Sequence, residues 1–421
     1  MSDRASVGSE PAPSPSMTPF LVVWGGQAFS LLGSHLVQFA LVWWLSASSN
    51  SATVLAYASL VGLLPQIVIA PFAGTLVDRW SRRRILIGAD GAIALATLLL
   101  ALLFHLDAIR LWHVYVLLFV RATGAAFHWP AMQASTTLMV PNKHLARVAG
   151  LNHTLIGLAS IVIPPLGALA VVVLPMQGIL GIDVVTALIA IIPLLFVAIP
   201  QPPRVQAAGV RPSMLAEMRA GLHYILAWRG LLLLTAMAVI INLLGRAAGS
   251  LGPILVMRDM GGGAVELGVI QSASGVGILL GGAILSIWGG SRRRMAAALV
   301  ALALDGMAIA AVGLSPTNSF ALVAALVLAS GFFETLVLGL IGAVGQSVIA
   351  PEVQGRVFAL HGSVANLAAP LGLMIAGPVA DATSAQFWWL ITGIVISVMG
   401  AGALLVPPLV GIEEGPRPAL A

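Results

Sequence analysis

Long apolar runs broken by short polar connections dominate the chain. A bilayer core about 30 Å thick is crossed by a helix of about 20 apolar residues. Runs of that kind lie at 19–46, 52–77, 85–105, 112–138, 145–173 and 178–199. Six more follow at 230–256, 264–288, 295–314, 319–347, 356–380 and 386–410. The pattern predicts an all-α polytopic membrane protein of twelve transmembrane helices. The run at 230–256 is the faintest, because Arg246 interrupts it. The longest polar connection, 201–229, holds Pro202, Pro203, Pro212 and several arginines and divides the runs six and six. The expected organisation is therefore a disordered tail (1–18), a first bundle (19–200), a central loop (201–229), a second bundle (230–410) and a short tail (411–421).

Charge in the connections gives an orientation. Those after the even-numbered runs hold Arg79, Arg82, Arg83 and Arg84, then Lys143 and Arg147, then Arg204, Arg211, Arg219 and Arg229, then Arg292, Arg293 and Arg294, and finally Arg356. Those after the odd-numbered runs hold Arg110 and Arg258. The positive-inside rule puts the first set and both termini in the cytoplasm of a cell whose inner or plasma membrane holds the chain.

The two halves echo each other. Ser81-Arg82-Arg83-Arg84 after the second run returns as Ser291-Arg292-Arg293-Arg294 after the eighth. Pro141 after the fourth returns as Pro351 after the tenth, each followed by Arg-Val (Arg147-Val148, Arg356-Val357). Pro165-Leu166-Gly167 returns as Pro370-Leu371-Gly372. Matches in one order at nearly constant separation point to two pseudo-symmetric six-helix bundles. Such parallel repeats place a substrate site between them, near the midplane.

Composition narrows the function. Only 8% of residues are charged and 59% are hydrophobic, against about 25% charged in soluble domains, so lipid is the main solvent. The net charge of +5 lies in short loops between spans, which reads as topology and not as a nucleic-acid footprint. The absence of cysteine removes disulfide, zinc-thiolate and redox-thiol chemistry. No G-x-x-x-x-G-K-[ST] phosphate loop is present, so ATP is not the expected energy source, and no cofactor or metal is expected. A membrane-integral enzyme needs a nucleophile, carboxylate dyad or metal cluster, and none stands at recognisable spacing. A sensor usually appends a soluble domain, for which both tails are short.

Gly74-Thr-Leu-Val-Asp78-Arg79-Trp-Ser-Arg82-Arg83-Arg84 resembles the G-x-L-x-D-R-x-G-R-K/R signature of the major facilitator superfamily, with Ser81 at its second glycine. The stretches Gly26 to Ser34, Phe119 to Pro130 and Gly181-Ile-Asp183 are similar to the macrolide-efflux branch of drug:proton antiporters. In the second half the similarity rests on Gly355-Arg356-Val357-Phe358 and Gly377-Pro378-Val379-Ala380-Asp381. The antiporter motif of the fifth helix is degenerate, with Ile163 and Ala168 where glycines are expected. The resemblance implies a monomeric exporter that exchanges protons for a lipophilic small molecule. An importer or a siderophore exporter on the same fold is the alternative. The resemblance also implies a conformational latch built from Gly74, Asp78, Arg79, Arg82, Arg83 and Arg356. Arg82 to Arg84 have a plainer reading as topology signals.

Charges inside spans are costly and usually functional. Arg121, Arg246, Asp305 and Glu334 are the candidates for proton coupling. The repeat makes position 331 the mate of Arg121, and the resemblance puts helices 1, 4, 7 and 10 around the cavity. Glu334 is then expected to face Arg121, with Arg246 beside them. Burial and a neighbouring arginine act on a carboxyl in opposite senses, and alternating access changes both, so Glu334 is the first candidate proton carrier and Asp305 the second. A permanent Glu–Arg pair that fixes packing is the other reading. Asp90 is expected to pair with the arginine run, and Asp183 to make a packing or gating contact. Gln27, Ser30, Ser34 and Gln38 share one face of the first helix. With Phe127, His128, Asn242, Gln271 and Phe333 they are candidates for a mostly apolar substrate cavity. Hydrogen bonds between helices are the alternative for each polar one.

The loop charges predict that cysteines introduced at Ser14 and Ser291 resist a membrane-impermeant thiol reagent in intact cells, while one at Asn318 reacts. Labelling at Ser291 and not at Asn318 reverses the orientation.

Overall fold

The computed structural model describes residues 17–200, 214–291 and 293–413. The first half holds α1 (Met17–Ser49), α2 (Ala52–Arg79), α3 (Arg82–His105), α4 (Leu111–Met139), α5 (Leu145–Val173) and α6 (Met176–Phe196). Next come α7 (Met214–Ala227), α8 (Arg229–Ser250), the short α9 (Gly252–Ile254) and a π-turn (Leu255–Asp259). The chain continues with α10 (Ala264–Trp288), α11 (Arg294–Gly313), α12 (Phe320–Val348), α13 (Pro351–Ala382), α14 (Ala385–Ala403) and the short α15 (Pro407–Val410). Eleven of the long helices are apolar enough to cross a membrane. The twelfth, α4, is 29 residues long but carries Arg121, His128 and Gln133, so its polarity and not its length sets it apart.

The connections have local causes. Asn50 takes a left-handed backbone (φ 49°) between α1 and α2, and the Ser51 hydroxyl then accepts from the Val54 N–H. Ser384 caps α14 by accepting from the Phe387 N–H at 3.0 Å. Gly289 (φ 68°) ends α10 in the left-handed region that glycine enters without strain. Prolines 130, 164, 165, 193, 370 and 378 lie inside helices, which neighbouring helices make tolerable.

The halves pack alike. α2 lies on α4 as α10 lies on α12, α3 on α6 as α11 on α14, and α5 on α1 as α13 on α8. The repeated Pro-Leu-Gly explains the last pair. A Cβ on Gly167 would stand 2.7 Å from the Phe39 ring of α1, and one on Gly372 would overlap the Leu243 carbonyl of α8. The recurring glycine therefore marks the same close helix crossing in each half.

The connection read as a polar loop contains α7. Met214, Met218, Leu222 and Ile225 recur at helical spacing. Tyr224 and Ile225 are buried against the second half, and Gly221 sits on the backbone of Arg356. The seventh span is also broken, into α8, α9 and the π-turn, at Leu251-Gly252-Pro253.

The buried side chains separate the two ends of the molecule. At the end carrying the termini, Phe20, Val77, Met139 and Val148 form a cluster within the first half. Tyr224, Met295, Val344 and Val348 form another within the second. At the far end one cluster spans both halves, joining Phe39, Ala52, Leu55 and Ala168 to Leu251, Leu255, Leu267 and Leu373. Hydrogen bonds between halves join Ser51, Ala52 and Thr53 to Asp381, and Ser272 to Ile161. The halves are thus zipped along α2–α13 and α5–α10, with the joint apolar core at the far end.

Candidate transport site

A cavity of about 380 Å³ lies in the seam between halves. α1 lines it with His35, Gln38, Phe39 and Val42, α5 with Ser160, Ile163 and Pro164 among others, and α10 with Gln271. Its wall is mostly apolar, with three polar side chains and one hydroxyl, a balance common in small-molecule sites. Beside it α10 rests directly on α5. The Ser272 hydroxyl donates to the Ile161 carbonyl at 2.7 Å, and Gly268 and Gly275 meet the α5 backbone at Pro164 and Ser160.

The first half holds a closed polar network. Asp183 on α6, 1% exposed, accepts from Arg121 Nη1 of α4 at 2.5 Å, from the Ser34 hydroxyl of α1 at 3.0 Å and from the Thr97 hydroxyl of α3 at 3.2 Å. Arg121 also donates to the Ser34 carbonyl at 2.9 Å. Four helices are tied through one carboxylate. Nearer the termini, Gln27 donates to Asp90 at 2.9 Å, and His128 Nε2 lies 2.8 Å from Gln27 Oε1 and 3.5 Å from Asp90. Trp24 on α1 donates to Asn152 on α5 at 2.7 Å.

The second half leaves its deep charges loosely held. The buried Asp305 carboxylate of α11 accepts from the Ser330 hydroxyl of α12 at 2.6 Å, with no cation in ion-pair contact among the described residues. Glu334, one helical turn beyond Ser330, is solvent-accessible although protein surrounds it. It feels the charge of Arg246 on α8 with no ion pair formed, and Asp305 in turn feels the charge of Glu334.

These contacts redistribute the sequence-based candidates. Arg121 is taken up by Asp183 in its own half and does not face Glu334 as its partner. Asp90 bonds to Gln27 and His128 and not to the arginine run. Of the expected cavity residues, Gln38 and Gln271 line the cavity. Gln27, Ser34 and His128 belong to the network inside the first half, and Ser30 is buried. Phe127 packs in the first-half cluster near the termini. Asn242 donates to the Ala238 carbonyl of its own helix at 2.9 Å, and Phe333 stacks edge-on with Phe332. His35, Ser160 and Ile163 join the cavity instead, Ile163 being the residue that replaces a motif glycine.

The arginine run holds helix ends. Arg83 donates to the Leu194 and Leu195 carbonyls at the C-terminus of α6, and Arg82 to the Ala134 carbonyl at 3.1 Å. Gly74, Asp78 and Arg79 fall in the last turns of α2, and their side-chain contacts lie outside the described residues. Arg356 is exposed in the first turns of α13.

The family model for the Major Facilitator Superfamily matches residues 23–373. The chain belongs to this superfamily. Macrolide efflux protein A of Streptococcus pyogenes is 34% identical over 378 residues, covering 90% of this chain and 93% of that protein. Multidrug efflux pump Tap of Mycolicibacterium fortuitum is 27% identical over 95% of this chain and 98% of its own. Among solved structures, a bacterial homologue of the human lysosomal transporter Spinster, inward-facing and unoccupied, aligns with a TM-score of 0.67 at 16% identity, over 98% of this chain and all of that one. A bacterial homologue of the iron transporter ferroportin, inward-facing, aligns with the same score over 91% of this chain and 97% of that one. The major-facilitator fold and the family resemblance expected from the sequence are thereby established, and the chain is a multi-pass membrane transporter and not an enzyme.

Two constellations in this transporter escaped the sequence. The Arg121–Asp183 pair joins helices whose sequence separation says nothing of their contact. The Asp381 contacts had a signal, since Gly377 and Asp381 repeat the glycine–aspartate spacing of Gly74 and Asp78.

Asp183→Asn removes the charge that answers Arg121 and is expected to cost about 3–5 kcal/mol. The purified protein should melt well below the parent, and adding Arg121→Gln should restore much of the loss. A double variant that melts no higher than Asp183→Asn contradicts the pairing.

Proposed function

We propose that the transporter expels bulky lipophilic, macrolide-like compounds in exchange for protons, by alternating access, as a monomer with both termini in the cytoplasm. The observation that carries this reading is the cavity between halves, apolar with a few polar groups, beside a seam whose joint core lies at the end away from the termini. The 34% identity to a protein named for macrolide efflux supports the substrate class. The positive loops at the termini end support the orientation.

In this reading the first half is a rigid wall and the second half carries the proton. Glu334 can exchange with water from its accessible position, and burial and Arg246 set its electrostatic surroundings. Movement of α8 relative to α12 changes the distance to Arg246 and so the affinity of Glu334 for a proton. One proton crossing 100 mV supplies about 2.3 kcal/mol, enough for a substrate gradient of about 50-fold by RT ln arithmetic. Asp78, with Arg79 and its neighbours, is the latch of the termini end when that end is closed. The first survey is a panel of structurally diverse drugs tested on a pump-deleted host that expresses the protein. Macrolides should head the resistance profile.

Glu334→Gln keeps shape and hydrogen bonding but cannot titrate. In proteoliposomes with an imposed pH gradient it is expected to bind a radiolabelled macrolide, to lose concentrative transport and to keep downhill exchange. A folded Glu334→Gln protein that still concentrates the drug rules Glu334 out. The same experiment on Asp305→Asn then tests the second carboxyl.

A further inference from the structure

We propose that Asp381 is a second latch, which holds the far end of the transporter shut and is released once in every cycle. The proposal rests on the alternating-access reading and adds a device to it.

The carboxylate of Asp381, in the last turn of α13, takes four hydrogen bonds. The Ala52 N–H donates to Oδ1 at 2.7 Å, and the Thr53 N–H and the Ser51 hydroxyl donate to Oδ2 at 2.9 and 2.7 Å. Arg258 Nη1 donates to Oδ1 at 3.0 Å. Three of the four donors belong to the other half, at the N-terminus of the 28-residue α2. Free N–H groups and the helix dipole both favour an anion there. The contact therefore ties two helices of opposite halves at one point.

The surroundings fit a contact made to break. One turn before Asp381, Gly377 lets α13 touch α2, since a Cβ there would stand 2.7 Å from Thr53 Cα. Arg258 lies in the π-turn, a local distortion often found at functional positions. It also donates to the Ala380 carbonyl at 2.7 Å and to Asp259 at 3.1 Å, and Asp259 in turn accepts from the Gln386 N–H at the start of α14. All of these groups move with the second half. When the halves part, Asp381 loses the α2 donors but keeps Arg258, so its charge is never left alone. Its side chain is 30% exposed, which lets water replace the lost donors. The Gly-x-x-x-Asp spacing ends α2 at Asp78 as it ends α13 at Asp381. The chain thus places a glycine and an aspartate within the last two turns of both α2 and α13, one of the two helix pairs that zip the halves together.

The test uses a single cysteine reporter, which the cysteine-free chain permits. Ala168 is buried in the far-end core on α5, the other seam, and so reports parting of the halves and not fraying of α2. Labelling of Ala168→Cys by a maleimide is followed in nanodiscs, with erythromycin as the transported probe. Asp381→Asn is expected to raise the labelling rate about tenfold, the loss of charge-assisted bonds across the seam. Ser51→Ala removes one donor from the opposite side, keeps the carboxylate and should raise the rate several-fold. It serves as the readout if Asp381→Asn does not fold. Asp259→Asn, which leaves every donor across the seam in place, should stay within about twofold of the parent. If erythromycin accelerates labelling of the parent but neither seam variant does, the latch is wrong and alternating access stands. If Asp259→Asn is as fast as the seam variants, the latch is likewise wrong. If the parent never labels, with or without the drug, alternating access and the latch fall together.

Discussion

A bilayer core offers no water to a buried polar group, and a lone charge there costs several kcal/mol. Each deep charge in this transporter is placed under that constraint, and the two halves answer it differently. In the first half Asp183 collects donors from α1, α3 and α4, and Asp90 is answered by Gln27 and His128. These networks satisfy their members and cross-link four helices, so the half is expected to move as one body. In the second half Asp305 has a single hydroxyl partner and Glu334 has no ion pair among the described residues. Groups left in that condition respond when a neighbour moves.

The seam between halves follows the same constraint. Hydrocarbon gives two helices no hydrophobic reason to associate, so contact depends on close packing and hydrogen bonds. Gly268 and Gly275 bring α10 onto α5, and Gly377 brings α13 onto α2. Three hydrogen bonds from α2 cross the seam to Asp381, and one joins Ser272 to Ile161. Glycine contacts, an apolar core and the charged clasp at Asp381 thus share the seam among the described residues. The cavity beside it is lined by α1 and α5 of the first half and by α10 of the second.

The spans were legible because lipid demands a long apolar run from every helix that crosses it. The duplicated halves were legible for a related reason: the Pro-Leu-Gly pair recurs where one close helix crossing recurs. α7 was not, because a surface helix needs only one apolar face and its polar residues resemble a loop. The polar stripe of α1 was legible as a face, but its neighbours were not. α1 touches α2, α4, α5 and α6, and only the three-dimensional arrangement sends Gln27 and Ser34 inward to carboxylates and Gln38 outward to the cavity. Arg121 shows the limit of symmetry reasoning. The repeat pointed across the cavity to α12, whereas the shortest route to an anion lay on α6.

Rocking of two bodies about a central cavity has one signature that local breathing or unfolding lacks: the two ends must change in opposite senses. Spin labels at Ser48 and Thr383 span the far end, and labels at Lys143 and Ser291 span the termini end. Pulsed dipolar distances are measured for both pairs in nanodiscs, with and without erythromycin at low and high pH. The account predicts a short far-end distance in the resting protein, and on cycling a second population with the far end longer and the termini end shorter. Single unchanged distances at both ends, or distances that lengthen together, contradict it.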